Sequence, residues 1–301
     1  ENYQEAYTHL TQSLTHDPNW ADVKLTLAKV KIELGMTDEA IEDFKKLLNE
    51  DPDNGEYWFY AGYLEFTGTY DSTVLQNCNK ASSLGFTNPE LFYCRGINYF
   101  LAGDYQSAVT DFTRTIELDN NHYLAYHDRG SAKRLLGDMQ GALYDFRTST
   151  DIFHPNPIAF NNMGSVKIIL GDYEGAIKDY SVAVNLDPEF VTAFNNRCAA
   201  HFYLGNIQQA LDDFNNALMI NNNYVPAVIN KASALTKNLD YIEAITLFDG
   251  VISSSPQNGI AYLNRGLVKE LTGDLAGACE DWKMAVLNGV KEAENFIKEC
   301  K

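Results

Sequence analysis

The sequence predicts an all-α solenoid of stacked helix–turn–helix repeats. Three observations predict it. A 34-residue period runs from residue 21 to residue 292 of the 301, and a period of that size marks a repeat array rather than a single core. Small residues and large rings recur at two fixed places in the period, as interlocking helices require. A glycine followed by an acidic or amide residue punctuates most copies, and there is no strand signal.

The frames are 21–54, 55–88, 89–122, 123–156, 157–190, 191–224, 225–258 and 259–292. Residues 1–20 precede them and read as the second helix of a truncated repeat, with Ala6 and Pro18 in register. The first helix of each frame carries a small residue at position 8, reading Ala28, Gly62, Gly96, Gly130, Gly164, Cys198, Ala232 and Gly266. The turn follows at position 15, glycine in Gly35, Gly103, Gly137, Gly171, Gly205 and Gly273 but Thr69 and Leu239 in repeats 2 and 7. Glycine there takes the left-handed conformation that ends a helix. Position 16 supplies Asp104, Asp138, Asp172, Asp240, Asp274 or Asn206, residues that cap the next helix by accepting its free N–H groups.

The second helix carries alanine at position 20 in seven frames and a large ring at position 24 in seven, with Val74 and Cys78 as the exceptions in repeat 2. Repeat 2 is therefore the expected place for local distortion. Pro52, Pro188 and Pro256 stop the second helix. Residues 293–301 are expected to end a C-terminal amphipathic capping helix, with Phe296 and Ile297 amid charges. The N-terminus is expected to be a cut repeat and the C-terminus a natural end.

These stretches, GDYQSAVTDFTRTIELDNN and GDYEGAIKDYSVAVNLDPEF among them, resemble the tetratricopeptide repeat family over about nine tenths of the chain. The resemblance implies a superhelix whose first helices line a concave groove for protein partners. The family's clamp for acidic chaperone tails needs Lys and Asn at positions 5 and 9. Position 5 reads Leu25, Phe59, Tyr93, His127, Asn161, Asn195, Ile229 and Leu263, so that clamp is missing.

Position 6 reads Asn162, Asn196, Asn230 and Asn264 in the last four repeats. Stacked amides offer both donor and acceptor to the backbone of an extended peptide, an arrangement similar to the asparagine ladder of O-linked N-acetylglucosamine transferases. The alternative is repeated use of a common residue. Aromatic residues crowd the same face in repeats 2 and 3, with Tyr60, Tyr63 and Tyr93 as groove candidates and Phe202 and Tyr203 echoing them in repeat 6. Packing between repeats is the alternative for these rings.

Position 7 carries Arg95, Arg129, Arg197 and Arg265, and position 23 carries Asp111, Asp145, Asp213 and Asp281 in the same repeats. A semi-buried arginine needs a partner, so structural pairs are preferred to a basic stripe for anions.

Composition narrows the function classes. Lys plus Arg number 23 against 41 Asp plus Glu, a net charge of −18, which repels phosphate backbones and anionic lipid. Nucleic acid is not an expected partner, and no apolar run is long enough for membrane insertion. The six histidines show no metal-ligand spacing, and no nucleophile turn or phosphate loop is present. No catalytic residue, metal or cofactor is expected. Cys78, Cys198 and Cys279 stand where sibling repeats place Phe, Gly or Ile and read as small core residues in preference to redox use. The compartment stays open, the cytoplasm being preferred to export.

The expected function is a scaffold that binds an extended peptide segment of another protein. Two alternatives stand beside it: a self-assembling solenoid that forms a homodimer through its N-terminal edge, and a substrate-recruiting arm of a larger enzyme.

Overall fold

The computed structural model describes residues 2–153, 155–298 and 300. Glu1 of the half-repeat, His154, and Glu299 and Lys301 of the cap lie outside the described residues. The helices sort into two compact units, residues 1–153 and 154–301. In the first, α1 (Tyr3–His16) is followed by α2 (Ala21–Glu33), α3 (Thr37–Glu50), α4 (Gly55–Tyr63), α5 (Ser72–Ser83), α6 (Pro89–Leu101), α7 (Tyr105–Leu118), α8 (Tyr123–Leu135) and α9 (Met139–Ile152). In the second are α10 (Pro157–Ile169), α11 (Tyr173–Leu186), α12 (Val191–Tyr203), α13 (Ile207–Ile220), α14 (Val225–Lys237), α15 (Tyr241–Ser254), α16 (Gly259–Leu271) and α17 (Leu275–Leu287). A 3-10 turn (Lys291–Ala293) and α18 (Glu294–Ile297) close it. Among the described residues there is no strand.

From α2 to α17, even-numbered helices are the first helix of a repeat and odd-numbered ones the second. In repeats 3, 4, 5 and 8 the two helices interlock where a ring meets a missing side chain. A Cβ on Gly96 would lie 2.8 Å from the Phe112 ring, and one on Gly164 would lie 2.7 Å from the Tyr180 ring. Those rings, with Phe44, Phe146, Phe214 and Phe248, are almost wholly buried. The turns then follow from local chemistry. The six position-15 glycines have φ between +74° and +87°. Asp104, Asp138, Asp172 and Asp274 each accept the backbone N–H three residues on, at 2.9–3.1 Å.

Repeat 2 departs as its sequence predicts. Helix α4 has 9 residues where α6 has 13, and the left-handed residue is Gly68 at φ +82°. The lengthened turn is held by Asn98 of the next repeat. Its fully buried amide accepts the Asp71 N–H at 3.1 Å and donates to the Cys94 carbonyl at 3.1 Å.

The C-terminal cap is shorter than expected, a 3-10 turn followed by one turn of α-helix in place of a longer helix. It is held by Phe296 against Trp282, with ring centroids 5.1 Å apart, and by a disulfide between Cys279 and Cys300, with Cα atoms 5.8 Å apart. This corrects the core role expected for Cys279, which is half-buried and covalently linked. Cys78, Cys94 and Cys198 are buried and free.

Candidate functional site

Consecutive first helices touch one another: α4, α6 and α8 in the first unit, and α10, α12, α14 and α16 in the second. Among the described residues no consecutive second helices come as close. Each unit therefore curves with its first helices on the inner side. Positions 5 and 6 of those helices link one repeat to the next.

In the second unit the Asn196 amide donates to Asn161 Oδ1 at 2.9 Å, and the Asn230 amide donates to Asn195 Oδ1 at 2.9 Å. Each bond joins position 5 of one repeat to position 6 of the following one. Asn161 and Asn195 are buried, while Asn162, Asn196, Asn230 and Asn264 are half-buried. Asn264 faces a repeat with Ile229 at position 5, and its amide makes no hydrogen bond among the described residues. An amide has two N–H donors and two acceptor lone pairs, so Asn196 and Asn230 keep hydrogen-bonding capacity after bridging the repeats. The asparagines at position 5 were the missed partners. Their signal is the Asn161–Asn162 and Asn195–Asn196 doublets.

The first unit uses the same register with different chemistry. Tyr93 Oη donates to Asp128 Oδ2 at 2.7 Å, and Asp128 also pairs with His127 at 2.9 Å. Burial, together with the Asp128 carboxylate, pushes the Tyr93 hydroxyl pKa well above its ordinary value. Tyr93 is thus engaged between repeats. Tyr60 stacks on Phe44 at 4.7 Å with the Lys29 ammonium over its ring, and Tyr63 leans on Phe59 and stays 37% exposed.

The arginines sit between the helices of their own repeats. Arg95 grips Asp111 in a two-pronged pair, both prongs at 2.7 Å, and Arg129–Asp145, Arg197–Asp213 and Arg265–Asp281 repeat the geometry. A remaining guanidinium nitrogen reaches the preceding repeat at Asn79, Thr113, Ser181 or Asp249. Each guanidinium also lies over a ring at position 4: Phe92, Tyr126, Phe194 or Tyr262. Repeats 1 and 5 lack this arginine and use Lys31–Asp43 and Lys167–Asp179 instead, at 2.6 and 2.7 Å. The lysine comes from position 11, one turn along the helix.

The inner face of the second unit holds a pocket of about 190 Å³ lined by Ala199, Phe202, Tyr203, Phe214, Asn230 and Ser233. Lys237 places its ammonium 4.3 Å from the centre of the Phe202 ring. Tyr203 is 59% exposed, more open than any of the three tyrosines singled out in the sequence, and stacks on Tyr173 at 4.9 Å. The Asn230 amide and a hollow walled by Ala199, Phe202 and Phe214 therefore share one spot. Among the described residues no group of three or more His, Cys, Asp or Glu could hold a metal ion, and no helix is long and apolar enough to cross a membrane.

Family models described as tetratricopeptide repeat match residues 1–61 and 89–122, and one described as TPR repeat matches residues 164–205. No curated protein matches the sequence significantly. Among solved structures, a chain of the APC/C hetero-tetramer Cut9–Hcn1 aligns over 99% of this chain with TM-score 0.64 and 16% identity. The alignment covers 59% of that chain. Yeast Tom70 aligns over 99% of this chain and 92% of its own, with TM-score 0.52 and 13% identity. YrrB, described as a TPR protein with an unusual peptide-binding site, aligns over 61% of this chain and 95% of its own, with TM-score 0.51 and 17% identity. At these identities the likeness is one of fold.

Proposed function

The chain belongs to the tetratricopeptide repeat family, and from that premise we propose that it is a protein-interaction scaffold whose inner helix face binds an extended segment of a partner. The observation that carries this reading is the coincidence at Asn230. Its amide, anchored by Asn195, borders the pocket of Phe202, Tyr203 and Ser233. An extended peptide presents backbone groups and side chains in alternation, and this surface offers an amide and an apolar hollow side by side. Asn196 and Asn264 continue the amide row along the neighbouring first helices, with Asn162 in the same register. A shallow surface spread over several repeats suits a chain better than a small molecule.

The test uses two positions that take no part in the hydrogen bonds between repeats. Peptides selected from a random dodecapeptide display library are titrated into the 15N-labelled full chain. Shifts are expected on α12, α14 and α16. Tyr203→Ser combined with Asn264→Ala is expected to weaken binding about tenfold or more, about 1.4 kcal/mol, with an unchanged circular-dichroism spectrum. Shifts confined to the second helices, or equal affinity for the double variant, would count against the groove.

A further inference from the structure

The turn between α14 and α15 departs from its siblings at two nearby positions. Position 15 carries Leu239, whose φ of 69° lies in the left-handed region; glycine enters it readily and a residue with a Cβ does not. Position 18 carries Ile242, where the six preceding repeats carry Asp38, Ser72, Gln106, Gln140, Glu174 and Gln208. Neither side chain is buried in return, Leu239 being 70% and Ile242 85% exposed. At the next turn, Leu271 and Leu275 are each 60% exposed. Thr272, between those two leucines, lines one depression with Leu239, Ile242, Asp240 and Glu243. Its wall holds two carboxylates and no lysine or arginine, with the Lys231 ammonium 3.8 Å from the largely exposed Glu243. Core packing explains none of this, since a strained turn here displays large apolar groups to solvent.

We propose that this edge, made by the α14–α15 and α16–α17 turns, docks a segment of a second protein that carries an apolar anchor flanked by lysine or arginine. The exposed leucines and isoleucine would take the anchor, and Asp240 and Glu243 would face the bases. Charge argues against a second copy of the chain. A symmetric contact would set these carboxylates against themselves in a molecule of net charge −18. The surface consists of the two turns and the helix ends beside them and is not part of the amide row, so one chain could hold two segments at once.

The test is a random dodecapeptide display library selected on the full chain and counter-selected on the Leu239→Gly/Ile242→Gln variant. Both substitutions lie at exposed positions, and a melting temperature at or above that of the wild type verifies the fold. The enriched peptides are expected to pair an apolar residue with Lys or Arg. They should bind the wild type about tenfold or more tightly than the variant, weaken with Asp240→Asn/Glu243→Gln, and weaken with added salt. Failure to enrich, equal binding to the variant, or enrichment of neutral or acidic peptides would overturn the proposal. So would a wild-type dimer in sedimentation velocity that the double variant abolishes, which would assign the edge to self-association.

Discussion

Lys167 and Arg95 answer the same need in different repeats, and the difference has a measurable consequence. Asp111 is held by both prongs of Arg95 and is almost wholly buried. Asp179 meets a single lysine ammonium at 2.7 Å. Burial raises the Asp179 pKa, and Lys167 only partly opposes it. A folded-state value above the unfolded one means that the native chain binds the proton more tightly. The contribution of Asp179 is then fully favourable below the unfolded pKa and is lost as pH rises through the folded value. At neutral pH the ionised carboxylate brings little net stability. Asp179→Asn should therefore change the unfolding free energy by less than about 1 kcal/mol, whereas Asp111→Asn, which leaves Arg95 without its counter-charge, should cost about 3 kcal/mol. Urea titration of the two variants at pH 7 measures both, and equal losses would contradict this account. The Arg–Asp pairing was legible because both residue types recur in the same four repeats. The lysine pairs were harder to see, because position 11 lies one turn from the arginine column and Lys133 and Lys269 there accompany an arginine where Lys31 and Lys167 replace it.

At the scale of the element, the period gave away the helices and the punctuation gave away their turns, since glycine in the left-handed region and a capping aspartate act within a few residues of sequence. The cap did not follow in the same way. Whether two cysteines 21 residues apart meet depends on how the chain folds back after α17, and no local pattern encodes that. The same holds for the rungs between asparagines, which need the superposition of neighbouring repeats. The Cys279–Cys300 link closes a loop that covers the last apolar surface of the second unit, including Trp282, Tyr262 and Val290. Closing a loop of that length removes about 3 kcal/mol of unfolded-state entropy. Cys300→Ser, or treatment with dithiothreitol, is expected to raise amide exchange in α17 and around the 3-10 turn while leaving α10 to α13 unchanged. Exchange in α17 that is insensitive to reduction would show that Phe296 packing alone holds the cap. The clasp also ties the end of the array to redox conditions, because a reducing compartment removes it.

Across the whole chain, eight frames of one length run without interruption, yet the structure divides at residue 153. Periodicity repeats across that point, and only Pro155 and Pro157 mark it in the sequence. Within each unit a helix pair touches its neighbours in sequence and little else, so stability is a sum of local terms and openings stay local. The weakest term should then be repeat 2, where α4 is four residues short of the 13 in α6. There a single buried side chain, Asn98, supports the start of α5 through the Asp71 N–H. Amides of α4 and α5 are expected to exchange about tenfold or more faster than those of α6 and α7, a difference of about 1.4 kcal/mol in opening free energy. Asn98→Ala should widen that gap, because the Asp71 N–H loses its buried acceptor, and it should leave α10 to α17 untouched. A uniform exchange rate from α2 to α17, or an Asn98→Ala effect spread evenly over both units, would mean that the array opens as one cooperative body and that its repeats are not the units of its stability.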